Sequence, residues 1–315
     1  MNRSILLAAA TAVAALSLAA CGAASDPTAP AAGGGAAGGS TASGGSGGGS
    51  GGAIVVGSAD FSESQVLGEV YAGALKAKGI NVSTKPNIGS REVYLKALQD
   101  KSIDIVPEYT GSLLAYLKGS AANNEPDTVF AAVQKALAPG LVALDKSTAQ
   151  DKNSLAVTKD LAAKWNLSSI ADLKAHEGDI TIAGPPEFQT RVQGLPGLKA
   201  VYDIAPRDFR PLKGKAIVDA LLNGQAQVGL VFSTDPSLVT NSFVTLKDPK
   251  LEFGSDNVVP LVRKDKVNGT VTKALNAVSA KIDTATLTDL VKQVDVDKKD
   301  ASAVAKDFLA KNGLG

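Results

Sequence analysis

The 315-residue chain has one cysteine, one histidine, no excess of either charge and a single long apolar stretch. Each shortage removes a class of function. With Cys21 alone, no disulfide can form within the chain, so the fold rests on its core. Cys21 and His176 are too few for Cys/His catalysis or a histidine-rich zinc site, and no metal site is expected. Basic and acidic residues number 32 and 31, and removing Arg3 with a leader leaves 31 of each. Nucleic acid demands a basic patch, so no nucleic-acid partner is expected. Gly214-Lys215-Ala216 lacks the hydroxyl that a phosphate loop places on magnesium, and no cofactor is expected.

The one long apolar stretch, Ser4 to Ala20, follows Arg3 and ends in Leu18-Ala19-Ala20-Cys21. Small residues just before a cysteine are what a lipoprotein peptidase cuts, so residues 1–21 read as a signal peptide with a lipobox. Cys21 would become the lipidated N-terminus, and two acyl chains anchor stably where one is marginal. The stretch is short for a transmembrane helix and no basic flank follows it. Residues 22–53 are almost all Gly, Ala, Ser, Thr and Pro. Such a segment has little to bury and reads as a disordered tether spanning roughly 30 Å. The expected location is the extracytoplasmic face of the cell membrane, through the lipid anchor.

From Ile54 onward, short apolar runs alternate with helical patterns. Ile54 to Val56 predicts a strand, and Glu63 to Lys78 a helix with Val66, Leu67, Val70, Tyr71, Ala74 and Leu75 on one face. Asn81 to Ile88 predicts a second strand, and a helix capped by Ser90 follows, with Val93, Tyr94, Ala97 and Leu98 inward. A third strand, Ile103 to Val106, stops at Pro107 and leads to Glu108, Tyr109 and Gly111. This alternation predicts an open α/β sheet, in which ligands bind beyond the C-terminal strand ends. The residues to inspect are therefore 58–61, 88–91 and 108–112. A second set of strands and helices runs from Asn153 to Phe232, a helix starting at Phe188 among them. Strands at Phe243 to Leu246 and Val258 to Val262 precede three final helices. Late-returning strands suit two α/β lobes between which the chain crosses twice.

Several stretches occur in an order that resembles a known family: Gly57-Ser58-Ala59-Asp60-Phe61-Ser62-Glu63, Gly89-Ser90-Arg91, Ile103 to Gly111, Phe188-Gln189-Thr190-Arg191 and Phe232-Ser233-Thr234-Asp235. Together they resemble the substrate-binding proteins of ABC importers for glycine betaine, carnitine and choline. The resemblance implies a bilobal type II periplasmic-binding-protein fold, two open α/β lobes joined by a two-segment hinge. Lobe 1 would comprise 54–152 and 248–315, and lobe 2 would comprise 153–247. It implies a solute-binding subunit, not an enzyme, that is monomeric and delivers a small solute to separate permease and ATPase subunits.

The family holds quaternary ammonium ions in a tyrosine cage, because such ions donate no hydrogen bonds and are held by ring faces. Carried over by position, Tyr109 is a cage tyrosine, Ser112 takes the place of a threonine hydroxyl, and Phe232 stands where tyrosine is usual. Asn153 and Asp256 occupy two further ring positions without being aromatic and read as polar ligand contacts that set specificity. Arg191 keeps the family's arginine and reads as an anion clamp. Asp60 reads as a polar contact, and Ser64 stands where glutamine is common, with Gln65 beside it. The incomplete cage leaves the ligand open between betaine or choline types and a different polar or hydroxylated solute. Tyr71, Tyr94, Tyr116 and Trp165 read as packing residues, and His176 as solvated. A lipoprotein that uses the same cleft to sense a ligand and signal to a partner is the alternative.

Overall fold

Two five-stranded sheets organise the chain in a computed structural model that describes residues 53–119 and 121–315. The leader, Cys21 and the Gly/Ala/Ser segment up to Gly52 lie outside the described residues. The first sheet is ordered β2-β1-β3-β10-β4, from β1 (Ile54–Gly57), β2 (Val82–Lys85), β3 (Ile105–Tyr109), β4 (Leu141–Ala143) and β10 (Val258–Arg263). The second is ordered β7-β6-β8-β5-β9, from β5 (Asn153–Val157), β6 (Thr181–Gly184), β7 (Asp208–Pro211), β8 (Val228–Phe232) and β9 (Val244–Thr245). In each sheet four strands run in one direction, and the strand entered just after a crossing, β10 or β5, lies antiparallel to both of its neighbours.

Helices cover both faces of each sheet. On the first, α1 (Ser62–Lys76) lies on one face, and α2 (Arg91–Gln99), α3 (Thr110–Tyr116) and α4 (Pro126–Ala136) lie on the other. The second carries α5 (Lys159–Trp165), α6 (Leu195–Tyr202), α7 (Lys215–Leu222) and α8 (Ser237–Thr240). The C-terminal helices α9 (Gly269–Ser279), α10 (Thr284–Asp295) and α11 (Ala301–Lys311) return to pack with α1. Strand alternation divides the cores: Ile105 and Tyr109 face the α1 side, while Val106 faces the side of α2 to α4.

The strand does not stop at Pro107. β3 continues to Tyr109 because Pro107 lies directly opposite Pro260 of β10. Neither residue has an N–H to exchange, so this is a non-hydrogen-bonded pair and the ladder loses nothing there. Continuation sends Glu108 and Tyr109 to opposite faces, Glu108 toward α2 and Tyr109 toward α1. The segments that cross between sheets also pair with each other. Asp151 N–H donates to the Asp256 carbonyl at 2.9 Å, and Gln150 and Asn257 form an antiparallel bridge.

Other expectations shift in detail. The segment from Phe188 is a 3-10 turn, Pro186–Gln189, and the helix begins only at Leu195. Val93 is half exposed rather than inward, at 49%. His176 stacks on Trp165 with centroids 4.3 Å apart, so it is not free in solvent.

Candidate functional site

A cleft of about 1020 Å³ opens between the sheets, lined by residues of both. Its walls include four aromatic rings: Phe61, Tyr94 and Tyr109 from the first lobe and Phe232 from the second. Phe61 stands between Tyr109 and Phe232, with ring centroids 6.0 Å and 5.2 Å away. Phe61 is the residue before α1 and Tyr109 ends β3, so both sit at strand ends where an open sheet meets its cleft.

Both tyrosines turn their hydroxyls onto buried carboxylates. Tyr109 donates to Glu63 Oε1 at 2.7 Å, and Tyr94 donates to Glu108 Oε1 at 2.7 Å. Glu108, fully buried, also takes a fork from Arg91: Nε to Oε1 at 2.7 Å and Nη2 to Oε2 at 3.0 Å. That pairing explains how an arginine at the first position of α2 can be buried, since a lone charge there would cost several kcal/mol. Burial pushes both tyrosine hydroxyls well above their ordinary range, so both stay protonated and donate.

Behind Tyr109 lies a carboxyl pair. Thr234 Oγ1 is 2.7 Å from Glu63 Oε2 and 2.8 Å from Asp151 Oδ1. One hydroxyl proton cannot serve two carboxylates, so one of the acids carries a proton and donates. The electrostatics agree: burial raises Glu63 from 4.5 to about 7, against the Thr234 and Tyr109 hydrogen bonds. Burial and then the charge of Glu63 hold Asp151 well above the usual carboxylate range.

Asp256 faces the cleft from the second crossing segment. Its Oδ1 accepts from Gly111 N–H at 2.7 Å and Ser112 N–H at 3.0 Å, and its Oδ2 from the Ser112 hydroxyl at 2.5 Å. The close approach requires glycine at 111, because a Cβ there would lie 2.3 Å from the Ser255 carbonyl oxygen. Burial raises Asp256 from 3.8 to about 6, opposed by the Ser112 hydrogen bonds and the Arg91 charge. Asn153 pairs with Phe232 across β5 and β8 and also lines the cleft.

Of the residues expected at the site, Tyr109, Ser112, Phe232, Asn153 and Asp256 line one cleft. Arg191 and Asp60 line it too, but their charges are used between lobes. Arg191 Nε and Nη2 donate to the two carboxylate oxygens of Glu92 at 3.0 and 2.9 Å, and Lys213 pairs with Asp60. Arg191 is therefore an interlobe clasp here and not a free anion clamp. Burial would raise Glu92, but the hydrogen bonds from Arg191 and Ser90 prevail and bring it to about 2. Ser64 does not reach the cleft: it is fully buried and its Oγ accepts the Ala59 N–H at 2.9 Å. Gln65, its neighbour, does line the cleft.

Sequence reasoning missed the ring of Phe61 as a site wall. Phe61 lies in the segment 58–61 that follows β1, whereas Tyr94, on an apolar helical stripe, is the buried core residue expected and touches the cleft only from the edge of that core. Tyr116, also read as packing, is 41% exposed at the cleft edge, while Tyr71 is a core residue as expected.

Comparison with known proteins fits this geometry. Residues 52–311 match the model of the substrate-binding domain of ABC-type glycine betaine transport systems. The carnitine transport binding protein OpuCC of Listeria monocytogenes is 28% identical over 270 residues, covering 82% of this chain and 86% of that one. A glycine-betaine-binding protein of Pseudomonas aeruginosa is 28% identical over 274 residues, covering 82% and 88%. A solved structure of a glycine betaine/carnitine/choline ABC transporter component superposes with a TM-score of 0.66 at 23% identity, covering 83% of this chain and 99% of that one. That likeness carries the bilobal fold, and the match along nearly all of the described residues carries the family: this chain belongs to the substrate-binding domains of ABC-type glycine betaine transport systems.

Proposed function

We propose that the protein is the lipid-anchored, monomeric solute-binding subunit of an ABC importer, and that it holds an organic cation of the quaternary ammonium type between its lobes. As a family member it is a solute-binding, extracytoplasmic transport component and not an enzyme. The carrying observation is the run of rings Tyr109, Phe61 and Phe232 on one cleft, with the Tyr109 hydroxyl tied to Glu63 behind it. A cation without N–H donors is held by ring faces, at about 0.5 to 2 kcal/mol each. Phe61, beside Tyr109 and Phe232, supports this reading by adding a ring to a site where Asn153 and Asp256 are not aromatic.

The lobes close on the solute by hinge motion about the paired crossing segments at 150–151 and 256–257; the expected return to the first lobe at 248 shifts to about residue 256, because Asp248 accepts from the Tyr202 hydroxyl and Phe253 packs in the core of the second lobe. The lipobox supports anchoring through Cys21, and no helix among the described residues is long and apolar enough to cross a membrane. Calorimetric titration with choline, glycine betaine and carnitine tests the binding role, and micromolar or tighter binding of one of them is expected. Absence of binding by all three refutes it. Release of a Cys21→Ser variant from membranes, with loss of metabolic acyl labelling, tests the anchor.

A further inference from the structure

Where the two lobes touch, two carboxyl groups meet on a single hydroxyl. Glu63, in the first turn of α1, belongs to the first lobe, and Thr234 follows β8 in the second. The Thr234 hydroxyl lies 2.7 Å from Glu63 Oε2 and 2.8 Å from Asp151 Oδ1, and none of the three residues is more than 3% exposed. Asp151 is tied to the Thr234 side of this contact. It also accepts the Thr234 N–H at 3.2 Å, and next to it the Ser233 N–H donates to the Lys152 carbonyl at 2.9 Å. Opening the lobes therefore parts Glu63 from Thr234 and Asp151 and lets water reach both acids.

The two states hold different numbers of protons. With the lobes in contact, one proton completes the chain: one acid donates to the Thr234 oxygen, and the Thr234 hydroxyl donates to the other acid. With the lobes apart, water hydrates both carboxyls and favours their charged forms. No cation stands in for the proton. The charged groups that act on Glu63 are Asp151 and Asp256 from the two crossing segments, both acids, while Tyr109 of β3 and Thr234 supply only neutral hydroxyls. From α10, Asp295 accepts the hydroxyl of neighbouring Ser62 and adds a further acid. Arg91 of α2 is forked onto Glu108. The one histidine, His176, stacks on Trp165 and does not line the cleft.

We infer that closure of the lobes takes up a proton at the contact of Glu63 with Thr234 and Asp151, so that the protein holds its solute more tightly in acid than in alkali. This rests on the reading of the cleft as a solute site that closes by hinge motion. The proton comes from water, bonds to a carboxyl oxygen as the lobes meet and returns to water as they part. Burial raises Glu63 from 4.5 to about 7, so between those values the open state releases the proton that the closed state keeps. Affinity therefore falls as pH rises through that window and levels off above it. The interlobe pair of Glu92 with Arg191 acts in the opposite sense, but with Glu92 brought from 4.5 to about 2 its window lies lower.

The test is calorimetric titration of the intact mature protein with choline, glycine betaine and carnitine at pH 6 and pH 8.5, each in two buffers of different ionisation heat. None of these solutes titrates in that range. For whichever binds, uptake of roughly one proton is expected at pH 6 and nearly none at pH 8.5, with Kd rising about tenfold between them. Glu63→Gln keeps an acceptor for the Tyr109 hydroxyl and has no proton to release, so it should lose most of the uptake and most of the change in Kd. Asp256 takes its donors from Gly111 and Ser112, so any share it contributes survives in that variant. Small-angle scattering of the solute-free protein gives a second reading: a smaller radius of gyration at pH 6 than at pH 8.5, with the difference absent in Glu63→Gln. Solute binding without proton uptake at pH 6 overturns the inference and leaves the solute-binding reading standing, and undiminished uptake in folded Glu63→Gln overturns it too. Binding by none of the three solutes overturns the solute reading, and a radius independent of pH then overturns the proton linkage as well. Should the variant fail to fold, the wild-type proton count decides.

Discussion

The buried carboxyl pair makes folding stability fall as pH rises, opposite to the behaviour of salt-bridged acids. Below pH 4.5 Glu63 is protonated in both folded and unfolded chains, and its burial costs little. Between 4.5 and about 7 the unfolded chain releases the proton while the folded chain keeps it, so stability is lost across that window. Above about 7 the Glu63 part of the penalty is complete. Moving one carboxyl from 4.5 to about 7 corresponds to about 3 kcal/mol. At about 2 to 4 °C per kcal/mol for a domain of this size, Tm should fall by about 6 to 12 °C from pH 4.5 to pH 8.

The assay is thermal and urea unfolding of the solute-free protein across that range, for wild type and Glu63→Gln. Glutamine keeps an acceptor for Tyr109 and gains a donor toward Thr234 and Asp151, so the geometry survives while the charge does not. Asp151, raised by burial and then by Glu63, relaxes once its neighbour is neutral. The variant should therefore show a flatter profile and exceed wild type in stability at pH 8. A wild-type Tm that stays level or rises between pH 4.5 and 8 refutes the reasoning, as does a variant with an unchanged slope.

Other perturbations follow from the same contacts. Tyr109→Ala should weaken solute binding about tenfold or more by titration, whereas Tyr109→Phe keeps the ring and should mainly lower stability at pH 8, where Glu63 has lost a donor. Arg191→Ala removes the clasp on Glu92; both side chains are partly exposed, so the loss should stay below about 1 kcal/mol, up to about fivefold in affinity, and high salt should reproduce it in wild type. Gly111→Ala places a Cβ against the Ser255 carbonyl and should cost about 1 to 3 kcal/mol in urea unfolding while weakening the solute, through displacement of Asp256.

The order of elements from β1 to β3 was legible because buried parallel strands read as short apolar runs closed by turn residues. β7, Asp-Phe-Arg-Pro, was not legible: it is an edge strand, polar and proline-ended, with none of that signature. β4 was missed for its length, three residues. Pro107 looked like a stop because a proline's tolerance in a sheet depends on the residue across from it. Pro260 lies 153 positions further along the chain, and nothing near Pro107 announces it.

The site divides along the same line. Tyr109 could be found because its position after a strand is a local property. Its partner Glu63 could not, since an acid in the first turn of a helix is ordinarily a solvated favourable charge at the helix N-terminus. What makes Glu63 different is Thr234, 171 residues away, and Asp151, which enter from the second lobe and the crossing segment. The Arg191 clasp is of the same kind, its partner Glu92 being 99 residues earlier. A local pattern can say that a side chain reaches the cleft, but whether its charge is free for a solute depends on groups supplied by the other lobe. Arg191 and Asp256 both show this: the arginine arrives already paired with Glu92, and the aspartate has both oxygens taken by Gly111 and Ser112.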